Sequence, residues 1–208
     1  MIYEIRTYNA RPYSVPGYEK RFAEAYETRV KYGASLWGWW HTEIGPLNQM
    51  VHIWAYESLQ QRADVRTAAL KDPSGKWPPQ PGDELLSQEN DILLPVPGMT
   101  EMPGEQAWGS VYELRMYTYA PGDLAKVTPA YAAAIAARNA AYPMAGIFTS
   151  DLGNLNRLYQ LAPYRDWAHR EAVRAELREK HLWPPATDAR PVSQLVRHLV
   201  PAAFSPLH

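Results

Sequence analysis

The stretch GWWHTEIGPLNQMVHIWAY, Gly38 to Tyr56, carries two histidines, a glutamate and three tryptophans around a four-residue turn. Imidazole, with an ordinary pKa of about 6.5, is the side chain best suited to moving protons near neutral pH. His41 and His52 are therefore candidate catalytic groups. Glu43 is placed to orient His41, to hold charge near a substrate or to cap the turn. Side chains alternate along a strand, so Trp39, His41 and Glu43 share one face. With Gly45-Pro46-Leu47-Asn48 as the turn, the pairing predicts Glu43 opposite Met50, His41 opposite His52 and Trp39 opposite Trp54. Opposed Cβ atoms stand about 4.5–5.5 Å apart, close enough for the imidazoles to act together. With Glu43 they also form a set of three N/O donors of the kind that holds zinc or iron, but the pattern is too unspecific to predict a metal.

The first strand adds Glu4, Arg6 and Tyr8 on one parity and Tyr3, Ile5 and Thr7 on the other. Ile5, Val51 and Ile53 suit a helix-packed core, so the charged parity is expected on the sheet surface away from the helices. There Arg6 and Tyr8 would hold a substrate oxygen, while Trp39 and Trp54 would hold an aromatic body. Glu4–Arg6 also reads as a structural ion pair, and two neutral histidines bonded within a barrel wall remain the alternative to catalysis.

These residues sit in the first of two copies. IYEIRTY at 2–8 recurs as VYELRMY at 111–117, GWWHTEIGPLN at 38–48 as GIFTSDLGNLN at 146–156, and SQENDILLP at 87–95 as SQLVRHLVP at 193–201. Matched blocks in one order mean duplication. Each copy reads β-α-β-β-α-β, a ferredoxin-like unit. In the first helix Tyr18, Phe22, Tyr26 and Val30 form the apolar stripe, and its counterpart is expected to kink at Pro129 or to begin there with Thr128 as cap. The Pro/Gly-rich segment PVPGMTEMPGEQ marks the joint, giving units 1–97 and 108–208 with a linker at 98–107. Two such sheets cover each other's bare faces, so the fold class is α+β, a pseudo-twofold α/β barrel.

The second copy keeps Glu113, Arg115 and Tyr117, but Ile147, Thr149, Leu158, Gln160 and Ala162 replace the tryptophans and histidines. The shared set reads as structural and the asymmetric set as functional, with Arg115 and Tyr117 adding to the substrate-binding residues. Arg170, Arg174 and Arg178 recur every four residues among glutamates and read as a salt-bridged helix surface.

A formal net charge of -1 supplies no field for nucleic acid or an anionic membrane. The absence of cysteine excludes disulfides and thiolate chemistry. No dinucleotide fingerprint, phosphate loop or serine elbow occurs, so no cofactor is expected. The chain opens on a strand pattern rather than a leader, which leads to the expectation of a cytoplasmic location.

The Tyr-Glu-x-Arg-x-Tyr strand, the block from Gly38 to Asn48, the His52-x-Trp54-x-Tyr56 strand with Ser58-Leu59, and the terminal Phe204-Ser205-Pro206-Leu207 together resemble the NIPSNAP family. The resemblance covers nearly the whole chain. It implies paired ferredoxin-like units of the dimeric α/β-barrel superfamily, whose members include cofactor-free monooxygenases and cyclases, muconolactone isomerases and haem enzymes. It also implies association with mitochondria and with protein partners for the animal members. The second copy departs from the pattern at Gln160-Leu161-Ala162-Pro163.

Two functions stand. One is a small-molecule enzyme, expected to be a homo-oligomer, using His41 or His52 on an aromatic or polyketide-like substrate in an isomerase, cyclase, lyase or oxygenase reaction. The other is a non-catalytic ligand-binding or protein-interaction module. A filled barrel would favour the module, and a closed chamber of roughly 300 Å3 the enzyme.

Overall fold

A computed structural model of the chain describes residues 1–80, 82–100 and 105–208. The first half runs β1 (Ile2–Ala10), α1 (Val15–Val30), β2 (Ser35–Ile44), β3 (Gln49–Tyr56), α2 (Leu59–Leu70) and β4 (Leu85–Pro95). The second repeats it as β5 (Val111–Thr118), α3 (Asp123–Ala141), β6 (Gly146–Leu152), β7 (Arg157–Tyr164), α4 (Trp167–Glu179) and β8 (Ser193–Pro201). Each half is an antiparallel sheet with its first strand inside, ordered β4-β1-β3-β2 and β6-β7-β5-β8. Pairing of β2 with β8 and of β4 with β6 closes one barrel of eight strands. Closure joins edges that would otherwise be open to other chains. Of the linker expected at 98–107, residues 101–104 lie outside the described residues, and Gln106 bridges Leu207 in parallel.

Local chemistry sets the elements. Ser58 accepts from the Gln61 amide at 3.1 Å and Asp166 from the His169 amide at 2.7 Å, each side chain satisfying a free donor at a helix start. Asn48 and Asn156 take positive φ at matching hairpin turns, a conformation that asparagine tolerates better than most residues. α3 begins at Asp123 rather than at Pro129, which lies inside the helix, and the Thr128 hydroxyl donates to the Leu124 carbonyl instead of capping. The buried stripe of α1 is Tyr18, Phe22, Ala25 and Arg29, not the expected run to Tyr26 and Val30. Strict four-residue spacing drifts around a helix of 3.6 residues per turn, whereas steps of four and three hold one face.

The largest correction concerns which sheet face lies inside the barrel. One apolar cluster joins strands of both halves and no helix: Tyr3, Ile5, Trp40, Val51, Ile53, Tyr112, Leu114, Tyr159 and Leu161 belong to it. These residues fill the barrel interior. Gly38 and Gly146 lie beneath the rings of Trp40 and Phe148, where a Cβ would overlap the ring. The opposite parity, with Tyr8, Trp39 and Trp54, packs against Tyr18, Phe22 and Val65 of α1 and α2. The charged face therefore looks at the helices.

The reason is electrostatic. Glu4 is completely buried and accepts from Arg6 at 2.8 Å, from Arg29 of α1 at 2.9 Å and from Arg62 of α2 at 2.6 Å. Glu113 repeats the arrangement with Arg115, with Arg170 at 2.6 Å and Arg174 at 3.0 Å from α4, and with His198 at 3.0 Å. A buried carboxylate without cations is prohibitively costly. One guanidinium in each set comes from the carboxylate's own strand and the others from the helices, so the face bearing Glu4 and Glu113 must meet the helices. Arg170 and Arg174 thus point inward rather than forming the expected helix surface.

Burial pushes Glu4 upward, but the Arg62 hydrogen bond and the charges of Arg29 and Arg6 outweigh it and lower its pKa to about 2. Glu113 is likewise lowered to about 2, burial being overcome by the bond and charge of Arg115 and by Arg170 and Arg174. With folded values below the ordinary carboxylate value of about 4.3, each network contributes fully above that pH and loses its contribution as pH falls toward 2, on the order of 3 kcal/mol each. Urea unfolding should therefore show stability dropping steeply between about pH 5 and pH 3. The Glu4→Gln and Glu113→Gln variants should each lose about 3–5 kcal/mol at pH 6, with a flatter acid dependence. Stability of the parent chain that stays level down to pH 3 would contradict this account.

Candidate functional site

The hairpin does not bring the two imidazoles together. Trp39 pairs with His52, Trp40 with Val51 and His41 with Met50, two residues away from the predicted register, with an irregularity between Leu36 and Gly38. A shift of two preserves every facing but separates the histidines. His41 lies at the edge of α1, its Nδ1 3.5 Å from Glu19 Oε2. Glu43 is exposed beside an irregularity in the β2–β8 pairing. His52 is fully buried, packed against Tyr8 at 4.9 Å and Phe22 at 5.0 Å between ring centroids. Its Nδ1 accepts from the Trp54 indole N–H at 2.8 Å, which puts the proton of the neutral ring on Nε2. Burial, followed by the charges of Arg6 and Arg29, holds its pKa well below the ordinary imidazole value. His41, His52 and Glu43 therefore form neither a proton-transfer pair nor a metal triad.

Among the described residues, the barrel interior is packed and offers no substrate chamber. An opening at its mouth, lined by Asp91, Arg157 and Arg197 among others, measures about 20 Å3. Two larger cavities instead occupy equivalent places between sheet and helices. One, of about 220 Å3, is lined by Arg6, Tyr8, Tyr18, Arg29, Arg66 and Trp77 among others. The other, of about 300 Å3, is lined by Arg115, Tyr117, Arg138, Gln160, Ala162 and Trp183 among others. Duplication explains the match: Arg6, Tyr8, Arg29 and Trp77 correspond to Arg115, Tyr117, Arg138 and Trp183.

The halves differ where the bulky pair His52 and Trp54 gives way to Gln160 and Ala162. In the first half the Arg29 guanidinium lies 4.2 Å from the Trp54 ring centroid and donates to Glu4 and the Tyr56 hydroxyl. Trp39 and Trp54 are fully buried packing residues there. In the second half His198 takes the Glu113 Oε2 side, and Arg138, only 2% exposed, makes no ion pair among the described residues. Arg138 Nε and Nη1 have no hydrogen-bond partner. Gln160 Oε1 accepts from the Trp183 indole N–H at 3.1 Å, leaving the Gln160 amide nitrogen unpartnered as well.

The result is a chamber with apolar walls and unused N–H donors. Arg115 donates to the Tyr117 hydroxyl at 2.9 Å, and Arg174 and Arg178 also line the space. Burial lowers the pKa of Arg138, outweighing the opposing pull of the Tyr164 hydroxyl and the Glu113 charge. Such a site is suited to holding an oxyanion against an aromatic wall. Of the residues expected to bind substrate, Arg115 and Tyr117 line this chamber and Arg6 and Tyr8 line its smaller counterpart. Arg29, Arg138 and Gln160 were not singled out from the sequence. The signal was present: Arg29 and Arg138 recur on corresponding helices, as do Arg62 with Arg170 and Arg66 with Arg174.

Among the described residues, no helix is long and apolar enough to cross a membrane. The barrel superposes on a proposed monooxygenase from Lactobacillus acidophilus with a TM-score of 0.68 at 15% identity, covering 96% of this chain and 93% of that one. It superposes on an anthrone oxidase-like protein with a TM-score of 0.61 at 8% identity, covering 99% and 93%. At such identities the likeness establishes the fold, a dimeric α/β barrel built here from one chain. Human NipSnap homolog 3B is 31% identical over 99% of this chain and 85% of its own length. Human NipSnap homolog 2 is 29% identical over 88% of this chain, which spans 65% of that relative. The NIPSNAP family model matches both halves, at residues 3–98 and 112–206, and the chain belongs to the NIPSNAP family.

Proposed function

We propose that this protein binds a small organic oxyanion in the second-half chamber between the sheet and helices α3 and α4. The observation that carries the reading is Arg138, a buried cation that lines a cavity of about 300 Å3 and whose Nε and Nη1 are unpartnered. Buried donors are ordinarily paired, and an acceptor on the ligand would satisfy them. Gln160 and the mouth arginines strengthen the same preference, while Ala162, Leu177 and Trp183 offer apolar contact.

An enzymatic form of this reading is favoured by the Tyr117–Arg115 pair in the same chamber. The phenol can deliver its proton to a ligand carbon as an enolate becomes a ketone, with Arg115 stabilising the phenolate left behind. Removal of a proton from a different carbon by the phenolate restores the phenol and leaves the isomeric enolate, which completes an isomerisation. Chemistry of this class on an aromatic or polyketide-like substrate moves the proton-handling role from the histidines to Tyr117. The packed barrel weighs instead toward a binding module, so turnover is the part of the proposal that depends on Tyr117.

A panel of aliphatic and aromatic carboxylates, followed by calorimetry and thermal unfolding, tests the binding. At a hundredfold excess over Kd a bound acid should add about 2.7 kcal/mol of stability. Arg138→Met should abolish that gain while changing unliganded stability by about 1 kcal/mol or less, because the cation has no ion pair to lose. By contrast, Arg29→Met should cost about 3–5 kcal/mol by breaking the fully buried Arg29–Glu4 pair. An equal response to acids in the parent chain and Arg138→Met would sink the assignment.

The displacement of His52 from the chemistry is checked by nitrogen-15 NMR. Its ring should remain neutral, with the proton on Nε2, throughout the range in which ordinary imidazoles titrate. A His52 titration near pH 6.5 would restore it as a candidate proton carrier.

A further inference from the structure

We infer that the ligand of the second-half chamber is a planar aromatic of about indole or naphthalene size, bearing a hydrogen-bond acceptor on its edge. This inference rests on the proposed oxyanion site and names the class of molecule that would enter it. The first half supplies the template from its own chain.

The two sheets place Trp54 and Ala162 at the same position. Trp54 pairs with Glu4 and its neighbour His52 with Arg6, just as Ala162 pairs with Glu113 and Gln160 with Arg115. Three groups hold the Trp54 indole. The Arg29 guanidinium lies 4.2 Å from its ring centroid. Trp77 meets it edge-on, with centroids 5.9 Å apart and planes at 78°. His52 Nδ1 accepts its N–H at 2.8 Å.

The second half retains a counterpart of each group: Arg138, Trp183 and Gln160 all line the larger cavity. Ala162 supplies only a methyl group at the position of the indole. A flat ring entering there would find a guanidinium for its face and an indole for its edge. The polarity of the third contact is reversed. Gln160 Oε1 already accepts from Trp183, so its unpartnered group is the amide N–H donor. Where Trp54 presents a donor, the ligand must present an acceptor: a carboxylate, phenolate or ring carbonyl. Arg138 Nε and Nη1 demand the same. A saturated acid would satisfy the donors but leave the ring-directed contacts unused.

The test is calorimetry on the full chain with 1-naphthoate and indole-3-carboxylate against octanoate and cyclohexanecarboxylate. The aromatic acids should bind at one site per chain, about tenfold or more tighter than the saturated ones, in keeping with the strength of a desolvated cation–π contact. Ala162→Trp, which inserts the template ring, should abolish aromatic binding while leaving circular dichroism unchanged. Trp54→Ala should open the first-half counterpart and raise the stoichiometry from one to two. If either variant fails to fold, the comparison of acids on the parent chain decides. Equal affinity for naphthoate and cyclohexanecarboxylate overturns the aromatic inference and leaves the oxyanion site standing. Binding of no acid overturns both.

Discussion

Two carboxylates sealed between sheet and helix, Glu4 and Glu113, are the constraint on which the arrangement depends. Each is held by cations from its own strand and from helices that follow in the chain, including Arg29 and Arg62 for Glu4 and Arg170 and Arg174 for Glu113. Such networks gain little net stability over an apolar core, yet breaking one is expensive, so they specify geometry more than they add free energy. They fix which face of each sheet meets its helices. The other face, free of charge requirements, closes on its counterpart as the apolar filling of the barrel.

This division of labour explains why the candidate site lies outside the barrel. With the interior occupied by Trp40, Tyr112 and Tyr159, two cavities remain where the helices stand off the sheet. Those spaces come in a matched pair because the chain is duplicated. In one, tryptophan and histidine occupy the room and satisfy one another. In the other, with alanine and glutamine at those positions, Arg138 Nε and Nη1 and the Gln160 amide nitrogen are left without partners. Loss of bulk, rather than the presence of histidine, makes the second half the better candidate site. NIPSNAP membership and the barrel likeness are compatible with a role in small-molecule chemistry, but fold alone supplies no reaction.

Much of this was legible in the sequence. Duplication was visible in the matched blocks, the element order in their periodicity, and the joint in its proline and glycine content. The shared faces of Glu4, Arg6 and Tyr8 and of Trp39, His41 and Glu43 followed from strand alternation. Arg115 and Tyr117 were legible as partners on one strand face because the second copy repeats them, and both line the second-half cavity. The hairpin register was not legible, since the pairing nearest the turn joins His41 to Met50, two residues away from the partner that the four-residue turn expected at 45–48 would give it. Nor was the role of Arg138, because its isolation depends on His198, a residue some sixty positions away, taking a place beside Glu113.

The sequence by itself determined a duplicated α+β chain, its strand and helix order, and which side chains keep company on a strand. Alternation is a local property of extended backbone and needs no knowledge of the fold. Only the tertiary structure decided which company faced inward. That choice depended on where arginines distant in sequence could reach a buried carboxylate, and on whether a neighbouring side chain was large enough to fill the space beneath them.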